Sequence, residues 1–95
     1  MQPCVYLLSN KKDGVIYIGV TSSVIQRVWQ HKNHMVDGFS KKYNASLLVY
    51  FEMHGSMLEA ITREKQLKNW KRKWKVDLIE SNNPMWNDLW DSISH

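Results

Sequence analysis

The sequence contains little cysteine and no long apolar segment. Its one cysteine among 95 residues, Cys4, cannot form an intramolecular disulfide or a cysteine-rich zinc site. No apolar run approaches the ~20 residues that a membrane-spanning helix requires. The longest candidate region, Leu47 to Phe51, is only long enough for a strand. The N-terminus has no basic patch followed by an apolar stretch, so no secretory signal is expected. We therefore expect a cytoplasmic protein in a reducing compartment, with no membrane partner.

Several common catalytic motifs are also missing. The chain has no glycine-rich phosphate loop, no histidine–cysteine metal cluster and no serine–histidine–aspartate order. His34, His54 and His95 are scattered, and we assign them no function. Internal repeats, low-complexity tracts and flexible linkers are absent as well. Because domains typically hold roughly 100–200 residues, the sequence predicts a single domain over 1–95.

The composition is that of a folded protein with a basic surface. Apolar residues make up 43% of the chain and charged residues 23%, which indicates a globular domain and not a disordered segment. Thirteen Lys and Arg against nine Asp and Glu give a formal net charge of +4. A polyanion such as nucleic acid is therefore a reasonable partner.

The order of apolar segments and turn residues predicts an α+β fold. Two short apolar segments flank a turn cluster ending in Asp13-Gly14, which predicts a β-hairpin with a loop of four or five residues. A basic loop is expected from Gly38 to Asn44. The expected strands are Pro3 to Ser9, Val15 to Val20 and Leu47 to Met53; the expected helices run from the caps at 21–23 to about Val36, from Ser56 to about Trp70, over Lys73 to Glu80 and over Met85 to Trp90. This order, β-β-α-β-α-α-α, gives a small, three-stranded, mainly antiparallel sheet flanked by helices.

Two tyrosines lie on the predicted hairpin, and its register decides whether they meet. With a loop of residues 10–13, Tyr6 lies directly across from Tyr17, and both share a face with Gly19, which leaves room for a ligand. With a loop one residue longer, the two side chains point to opposite faces. The sequence does not choose between these registers, and both tyrosines could equally be half-buried strand aromatics.

The first predicted helix carries an apolar arc with two polar residues at its edge. The arc contains Val24, Ile25, Val28 and Met35. Arg27 and His31 are four residues apart, so they lie side by side on the helix. Arginine suits bidentate phosphate binding, and histidine can donate to a phosphate or relay a proton. A solvated helix face is the alternative interpretation of this pair.

Glu64 falls within the apolar face of the second long helix, next to Ala60 and Met57. A carboxylate is costly to bury unless it is paired or binds a metal. One interpretation is an ion pair with Lys68, one turn further along the helix. The other is a ligand for Mg²⁺, which one or two carboxylates often hold together with substrate phosphate and water.

The strongest electrostatic feature is the segment from Lys65 to Lys75. It carries six basic side chains with no acidic residue among them: Lys65, Lys68, Lys71, Arg72, Lys73 and Lys75. Basic residues around aromatics can follow a phosphate backbone and stack on exposed bases. For the interleaved Trp70 and Trp74 we expect core packing, whereas for the six basic residues we expect DNA binding.

Taken together, these motifs resemble the GIY-YIG nuclease superfamily over nearly the whole chain. Cys4-Val5-Tyr6, then ten residues, then Tyr17-Ile18-Gly19 resembles the family's paired motif. Arg27 and His31 follow at the family's helical spacing. The stretch from Ala60 to Lys68 is similar to the later helix with its metal-binding glutamate, and Asn83 to Leu89 is similar to the ending of short stand-alone bacterial members.

The resemblance implies a Mg²⁺- or Mn²⁺-dependent DNA endonuclease with one metal ion. Tyr6 and Tyr17 would then line the site and one of them would help activate water, while Gly19 permits close approach. Arg27 would stabilise the phosphate's developing charge, His31 would take the position of the family's third tyrosine or histidine, and Glu64 would hold the metal. Branched and single-stranded DNA are among the expected substrates, and DNA repair is the expected process.

Two departures from the family pattern keep other functions open. Val20 stands where several active members have a lysine, and the family's late asparagine has no clear match, with Asn83 and Asn87 as candidates only. A non-catalytic nucleic-acid-binding module is the first alternative. The second is a partner-dependent subunit of a DNA-processing complex, because five tryptophans in so small a protein can mark an interface with a partner or a second copy.

Overall fold

A three-stranded antiparallel sheet organises the chain, as the computed structural model shows over residues 2–94. The sheet order is β2-β1-β3, so the first strand is central and the second lies at an edge. This confirms the predicted α+β class and sheet. The elements in chain order are β1 (Cys4–Ser9), β2 (Tyr17–Thr21), α1 (Val24–Lys32), α2 (Phe39–Lys42), β3 (Leu47–Met53), α3 (Met57–Asn69), α4 (Arg72–Asn82) and α5 (Trp90–Ile93). None of the helices in this part of the chain has the length and apolar character of a bilayer span.

The hairpin between β1 and β2 has a longer connection than either predicted register. Leu8 pairs with Tyr17 and Tyr6 pairs with Gly19, so residues 9–16 separate the last paired residues of the hairpin. The loop satisfies its own backbone, since Asn10 Oδ1 accepts from the Val15 N–H at 3.1 Å. The shift from the first predicted register is two residues. Because side chains alternate with a period of two, this shift keeps both tyrosines on one face of the sheet.

Helix α1 is shorter than predicted, and the predicted loop after it contains a helix. The helix was expected to reach Val36 but ends at Lys32, because His34 adopts a left-handed φ of 56° that a continuing helix does not allow. Met35 therefore lies beyond the helix and is exposed; Ile25 lies within α1 but is also exposed, so of the predicted apolar arc only Val24 and Val28 are buried. The expected loop from Gly38 to Asn44 holds the short helix α2.

The C-terminal segment also differs from its prediction. A helix over Met85 to Trp90 is wrong, because residues 85–89 run alongside β3 instead. The Leu89 N–H donates to the Leu48 carbonyl at 2.7 Å, and the Leu48 N–H donates to Asp88 Oδ1 at 3.1 Å. These bonds replace the intrahelical bonds that the prediction required. Trp86 is buried in this segment at a φ of 57°.

The sheet separates two apolar cores. On one face α3 and α4 cover the side chains of Val5, Leu7, Ile18 and Val49, with Ala60, Leu67, Ile79 and Trp86 completing the cluster. On the other face, residues of the sheet pack against Val24 and Val28 of α1 and against C-terminal residues. The buried cluster there contains Cys4, Tyr6, Leu8, Val24, Val28, Ala45 and Leu48. Every residue of β1 is buried, because helices or loops cover both of its faces.

An ion-pair cluster fixes α3 against the end of β3. Glu52 accepts hydrogen bonds from Arg63 Nε at 2.8 Å and from the Tyr50 hydroxyl at 2.6 Å, and His54 Nε2 lies 2.9 Å from it. Burial alone would raise the pKa of Glu52, but these hydrogen bonds outweigh it and lower the pKa below the usual 4.5. Glu52 is therefore ionised near neutral pH and holds Arg63 on the β3 side of α3.

We predict that Glu52→Gln lowers the free energy of unfolding by about 1–3 kcal/mol at pH 7, since hydrogen bonds to a charged group are lost. A folded-state pKa below the unfolded value gives stability that is present at neutral pH and is lost on acidification. The difference between wild type and variant should therefore shrink below about pH 4.5, as urea denaturation at several pH values would measure. Asp77→Asn removes an exposed pair with Lys73 and should change stability by less than about 0.5 kcal/mol. An effect of Glu52→Gln that is independent of pH would contradict the role of this charge.

Candidate active site

Tyr6 is the buried centre of the candidate site. Its side chain points toward α1 and is 1% exposed. The ring lies directly over Gly19, where an added Cβ would come within 2.4 Å of the Tyr6 hydroxyl oxygen and Cζ. The expectation that Gly19 leaves space for a ligand is therefore wrong, because the phenol of Tyr6 fills that space. Gly19 is needed so that the Tyr6 ring can approach the backbone of β2.

Tyr17 lies diagonally across the two strands from Tyr6, on the same face. The two ring centroids are 6.2 Å apart, with the planes tilted by 39°. Whereas Tyr6 is buried, Tyr17 is half-buried and lines an open cleft of about 180 Å³ at the β2 edge. Phe39, Lys68 and Lys75 line the same cleft. Tyr17 is therefore the phenol of the pair that a molecule in the cleft can reach.

His31 bridges the phenol of Tyr6 and a serine of α2. Its Nε2 lies 3.0 Å from the Tyr6 hydroxyl, and its Nδ1 lies 2.8 Å from Ser40 Oγ. Burial, and then the positive charge of Arg27, lowers the pKa of His31 to about 4. The ring is therefore neutral at pH 7, with one nitrogen donating and the other accepting. Sequence reasoning did not identify Ser40, because a lone serine in a basic segment carries no distinguishing pattern.

Arg27 lies one helical turn from His31, at the margin of the buried cluster. Its Nη1 donates to Gln30 Oε1 at 3.1 Å. Burial and the neighbouring Tyr17 raise the pKa of Tyr6, and the Arg27 charge offsets only part of that rise. Arg27 also lines a polar cavity of about 300 Å³ with Thr21 and Ser23. The predicted pairing of Arg27 and His31 on one helix edge thus places a permanent cation next to the phenols.

Glu64 lies on the side of α3 that faces the β2 edge. Ala60 and Leu67 mark the buried face of the helix, and Arg63 lies on its β3 side. At about 100° per residue, Glu64 falls on the opposite flank from Arg63, which is the flank nearest β2. The Glu64 side chain is 14% exposed and pairs with Lys68 Nζ at 3.2 Å. Lys68 also lines the Tyr17 cleft, so the ion pair connects Glu64 to a residue of that cleft.

The six basic residues of the 65–75 segment have different surroundings. Lys68 and Lys75 line the Tyr17 cleft. Arg72 instead donates from Nη2 to the carbonyls of Asp13 and Gly14, at 2.9 and 2.7 Å, and so holds the hairpin loop. Lys73 pairs with Asp77 at 3.2 Å. Lys71 Nζ lies 5.7 Å from the Trp74 ring centre, and Lys65 is exposed on α3.

The expectation that Trp70 and Trp74 are core residues is wrong for Trp74. Trp70 is partly buried against α3 and α4, but Trp74 is half exposed. The two rings meet edge to face, with centroids 6.0 Å apart. Trp74 is exposed because α4 packs through Ile79 and its neighbours, which leaves the tryptophan on the outer side of the helix.

Val20, and the two candidates for the family's late asparagine, have structural roles. Val20 packs with the α3–α4 core, on the opposite face of the sheet from Tyr17. Asn83 is buried, and its Nδ2 donates to the carbonyls of Val49 and Asn87 at 3.0 and 2.8 Å. The Asn87 N–H in turn donates to Asn83 Oδ1 at 3.0 Å. These asparagines connect the C-terminal segment to β3.

The donor set fits a metal ion only if the substrate completes the coordination. Within residues 2–94, no three His, Cys, Asp or Glu side chains gather at one point. Glu64 is the single carboxylate on the cleft side of α3, and Mg²⁺ can be held by one carboxylate together with phosphate and water. Lys68 Nζ pairs with Glu64 Oε2 at 3.2 Å, so a cation that binds through this oxygen competes with the Lys68 ammonium.

Comparisons with known proteins show the family and the fold. The model of the GIY-YIG catalytic domain matches residues 2–77, which include all of the predicted catalytic residues. A UPF0213 protein of Staphylococcus haemolyticus is 35% identical over 69 residues, covering 73% of this chain and 84% of that protein. One of Staphylococcus saprophyticus is 34% identical over 68 residues, covering 72% and 83%. The solution NMR structure of a UPF0213 protein from Bacillus halodurans has a TM-score of 0.58 at 26% identity, over 99% of this chain and 98% of that one.

We predict that Gly19→Ala destabilises the fold by about 1–3 kcal/mol, because the new methyl group collides with the Tyr6 ring. Gly55→Ala is the matched control, since its Cβ would meet only the end of the Glu59 side chain at 3.4 Å. Chemical denaturation of the two variants compares them directly. Equal stability of both variants would show that the Tyr6 ring does not occupy the space above Gly19.

A second prediction concerns the protonation of His31. With a folded-state pKa near 4 against the usual 6.5, the unfolded chain takes up the proton first, so stability should fall as the pH drops from about 6.5 towards 4. NMR titration should find the His31 ring neutral at pH 5.5, and the His31→Asn spectrum identifies its signals. The variant should lose less stability than wild type over the same range. A His31 midpoint near 6.5 would contradict the buried, neutral bridge.

Proposed function

Because the chain belongs to the GIY-YIG nuclease family, and to the UPF0213 proteins within it, we propose that it is a metal-dependent endonuclease that hydrolyses DNA phosphodiester bonds. The observation that carries the proposal is the buried Tyr6–His31 pair, which lies next to Tyr17. Tyr17 in turn lines a cleft together with two lysines. A phosphate in that cleft meets a phenol and positive charge together.

Tyr17 is the residue that we assign to the attacking water. It lines the cleft, whereas Tyr6 is 1% exposed and its hydroxyl already contacts His31. In this assignment the Tyr17 oxygen accepts a hydrogen bond from the water and, as the phenolate, takes up its proton when the water attacks phosphorus. Tyr6 is a positioning residue that packs next to Tyr17 and is itself held by His31 and Gly19.

The cations around the cleft stabilise the charge that develops on the phosphate. Lys68 and Lys75 line the cleft, whereas Arg27 acts on the Tyr6 phenol and lines a separate polar cavity with Thr21 and Ser23. Positive groups that are already in place gain more from the transition state than from the ground state, because charge on the phosphate oxygens increases. Arg27 also has the planar geometry for bidentate contact with a phosphate.

Glu64 is the residue that would hold a divalent cation. When bound, such an ion would supply charge stabilisation at the phosphate and a more acidic water. If the ion binds through the oxygen that now pairs with Lys68, the released Lys68 ammonium would be free to contact a phosphate in the cleft. Glu64 and Lys68 together therefore link metal binding to substrate binding.

The experiment is a nicking assay on labelled single-stranded, duplex and branched DNA, with Mg²⁺, with Mn²⁺ and with chelator. We expect cleavage only with a divalent ion. Arg27→Ala, Glu64→Gln and Tyr17→Phe should each reduce the rate by at least about 100-fold, which is typical for the loss of a charge-stabilising or proton-handling group. Preference for branched DNA would connect the protein to repair.

Trp29→Ala is the matched control, because Trp29 is an exposed aromatic on α1 outside the cleft, and it should cleave like wild type. Activity that survives Glu64→Gln would refute the metal assignment. Salt-sensitive DNA binding with no cleavage under any metal would instead identify a non-catalytic binding module. Cleavage or binding that requires a second protein would support the partner-dependent alternative.

A further inference from the structure

Two exposed aromatic rings continue outward from Tyr17. Phe39 opens helix α2, and Tyr43 caps its end. The Tyr17 and Phe39 centroids are 6.3 Å apart with planes within 26° of parallel, and the Phe39 and Tyr43 centroids are 4.7 Å apart with planes tilted by 47°. The phenols of the candidate active site are therefore the inner end of a row of rings that reaches the surface.

A hydrogen bond to the active site fixes the position of this row. Ser40, the residue after Phe39, is buried and its Oγ bonds to His31 Nδ1 at 2.8 Å. Helix α2 is thus attached to the same histidine that holds Tyr6. Because successive helix residues point about 100° apart, burial of Ser40 leaves Phe39 directed towards the cleft and solvent.

The two rings are not needed to fill either core. Neither belongs to the buried clusters on the two faces of the sheet, and both are more than 40% exposed. Single exposed aromatics are ordinary, but a row of adjacent rings beginning at the Tyr17 cleft offers exposed ring faces at one place.

Lysine side chains lie near the Phe39 and Tyr43 rings. Lys42 Nζ lies 5.3 Å from the Tyr43 ring centre, and Lys68 and Lys75 line the cleft with Phe39. The nearby carboxylate of Asp37 pairs with Lys41 at 3.4 Å. Flat rings among lysines are the combination that binds single-stranded nucleic acid, where bases stack on the rings and the cations contact phosphates.

We propose that Phe39 and Tyr43 form a base-stacking subsite that holds an unpaired nucleobase beside the phosphate at Tyr17. A paired base within a duplex is already stacked on both faces, so only a single-stranded or locally opened base can lie on these rings. The inference rests on the proposed function, since it names the substrate class of that nuclease: DNA that is unpaired next to the cleaved bond.

Another exposed aromatic surface, formed by Trp70 and Trp74, is the competing location for a base. Its rings meet edge to face at 89°, so they are further from parallel than Phe39 and Tyr43, whose planes differ by 47°. Asp77 also lines its cavity, which opposes a phosphate, and neither tryptophan lines the Tyr17 cleft. The row at Phe39 is therefore favoured, and the tryptophan surface supplies a control variant.

The test measures binding in chelator, so that it is independent of cleavage. Fluorescence anisotropy would compare a labelled single strand with the duplex of the same sequence. Phe39→Leu and Tyr43→Leu keep apolar bulk but remove the ring face, and each should weaken single-strand binding by about 5- to 100-fold. Tyr43→Phe keeps the ring and should bind like wild type. Duplex affinity should change by less than about twofold for all three variants.

Trp74→Leu and Trp29→Leu are matched controls that remove exposed rings elsewhere, and they should leave single-strand affinity unchanged. Weakening by Trp74→Leu alone, or equal losses on single strand and duplex, would overturn the subsite. Absence of any DNA binding would overturn both proposals.

The subsite and the nuclease assignment can fail separately. Phe39-dependent single-strand binding without cleavage under any metal would retain the subsite and refute the nuclease. Cleavage by a protein whose single-strand affinity ignores Phe39 and Tyr43 would retain the nuclease and refute the subsite. Should Phe39→Leu unfold, as thermal denaturation monitored by circular dichroism would show, the more peripheral Tyr43→Leu decides the question.

Discussion

The packing of the Tyr6 ring over Gly19 is the contact on which the rest of the site depends. It determines where the Tyr6 hydroxyl lies, and that hydroxyl is the partner of His31 Nε2. His31 in turn holds Ser40, which orients α2 beside the β2 edge. A glycine on one strand thus positions two helices, because the phenol occupies the space that any larger side chain would take.

Helix α3, on the opposite face of the sheet, contributes Glu64 to the candidate site, and the rotation of the helix about its axis decides where Glu64 lies. Arg63 is held by Glu52 at the β3 side, while Ala60 and Leu67 pack into the core. Because these three contacts fix the rotation of α3 about its axis, the Glu64 side chain lies on the flank of the helix that faces β2. The two candidate phenols and the candidate metal ligand therefore come from elements on opposite faces of the sheet, both on its β2 side. An edge strand is the one place in this sheet where groups from both faces can approach one another.

The fold was largely predictable from the sequence, because its signals are local. The strand Leu47–Met53 has the predicted bounds, and Ser56 caps α3 by accepting from the Glu59 N–H at 3.2 Å. The hairpin register was not predictable, since it depends on how Asn10 satisfies its own loop and on Arg72, which lies 58 and 59 residues from the carbonyls it binds. The C-terminal helix failed for a similar reason: long-range bonds to Leu48 outweighed a local helical pattern.

The structure brings Tyr6, Tyr17, Arg27 and His31 together, as the sequence predicted, and the catalytic roles of these residues stay predictions. Residue types and spacing identified Tyr6, Tyr17, Arg27, His31 and Glu64, yet they gave no way to distinguish a buried phenol from an accessible one. That distinction arises from tertiary burial, which also keeps His31 neutral through desolvation and the charge of Arg27. A neutral imidazole between two hydroxyls has one donor and one acceptor, so the proton arrangement at Ser40 determines that at Tyr6. The direction of hydrogen bonding is therefore shared along Ser40, His31 and Tyr6, and the segment that carries Phe39 is part of the same network as the phenols.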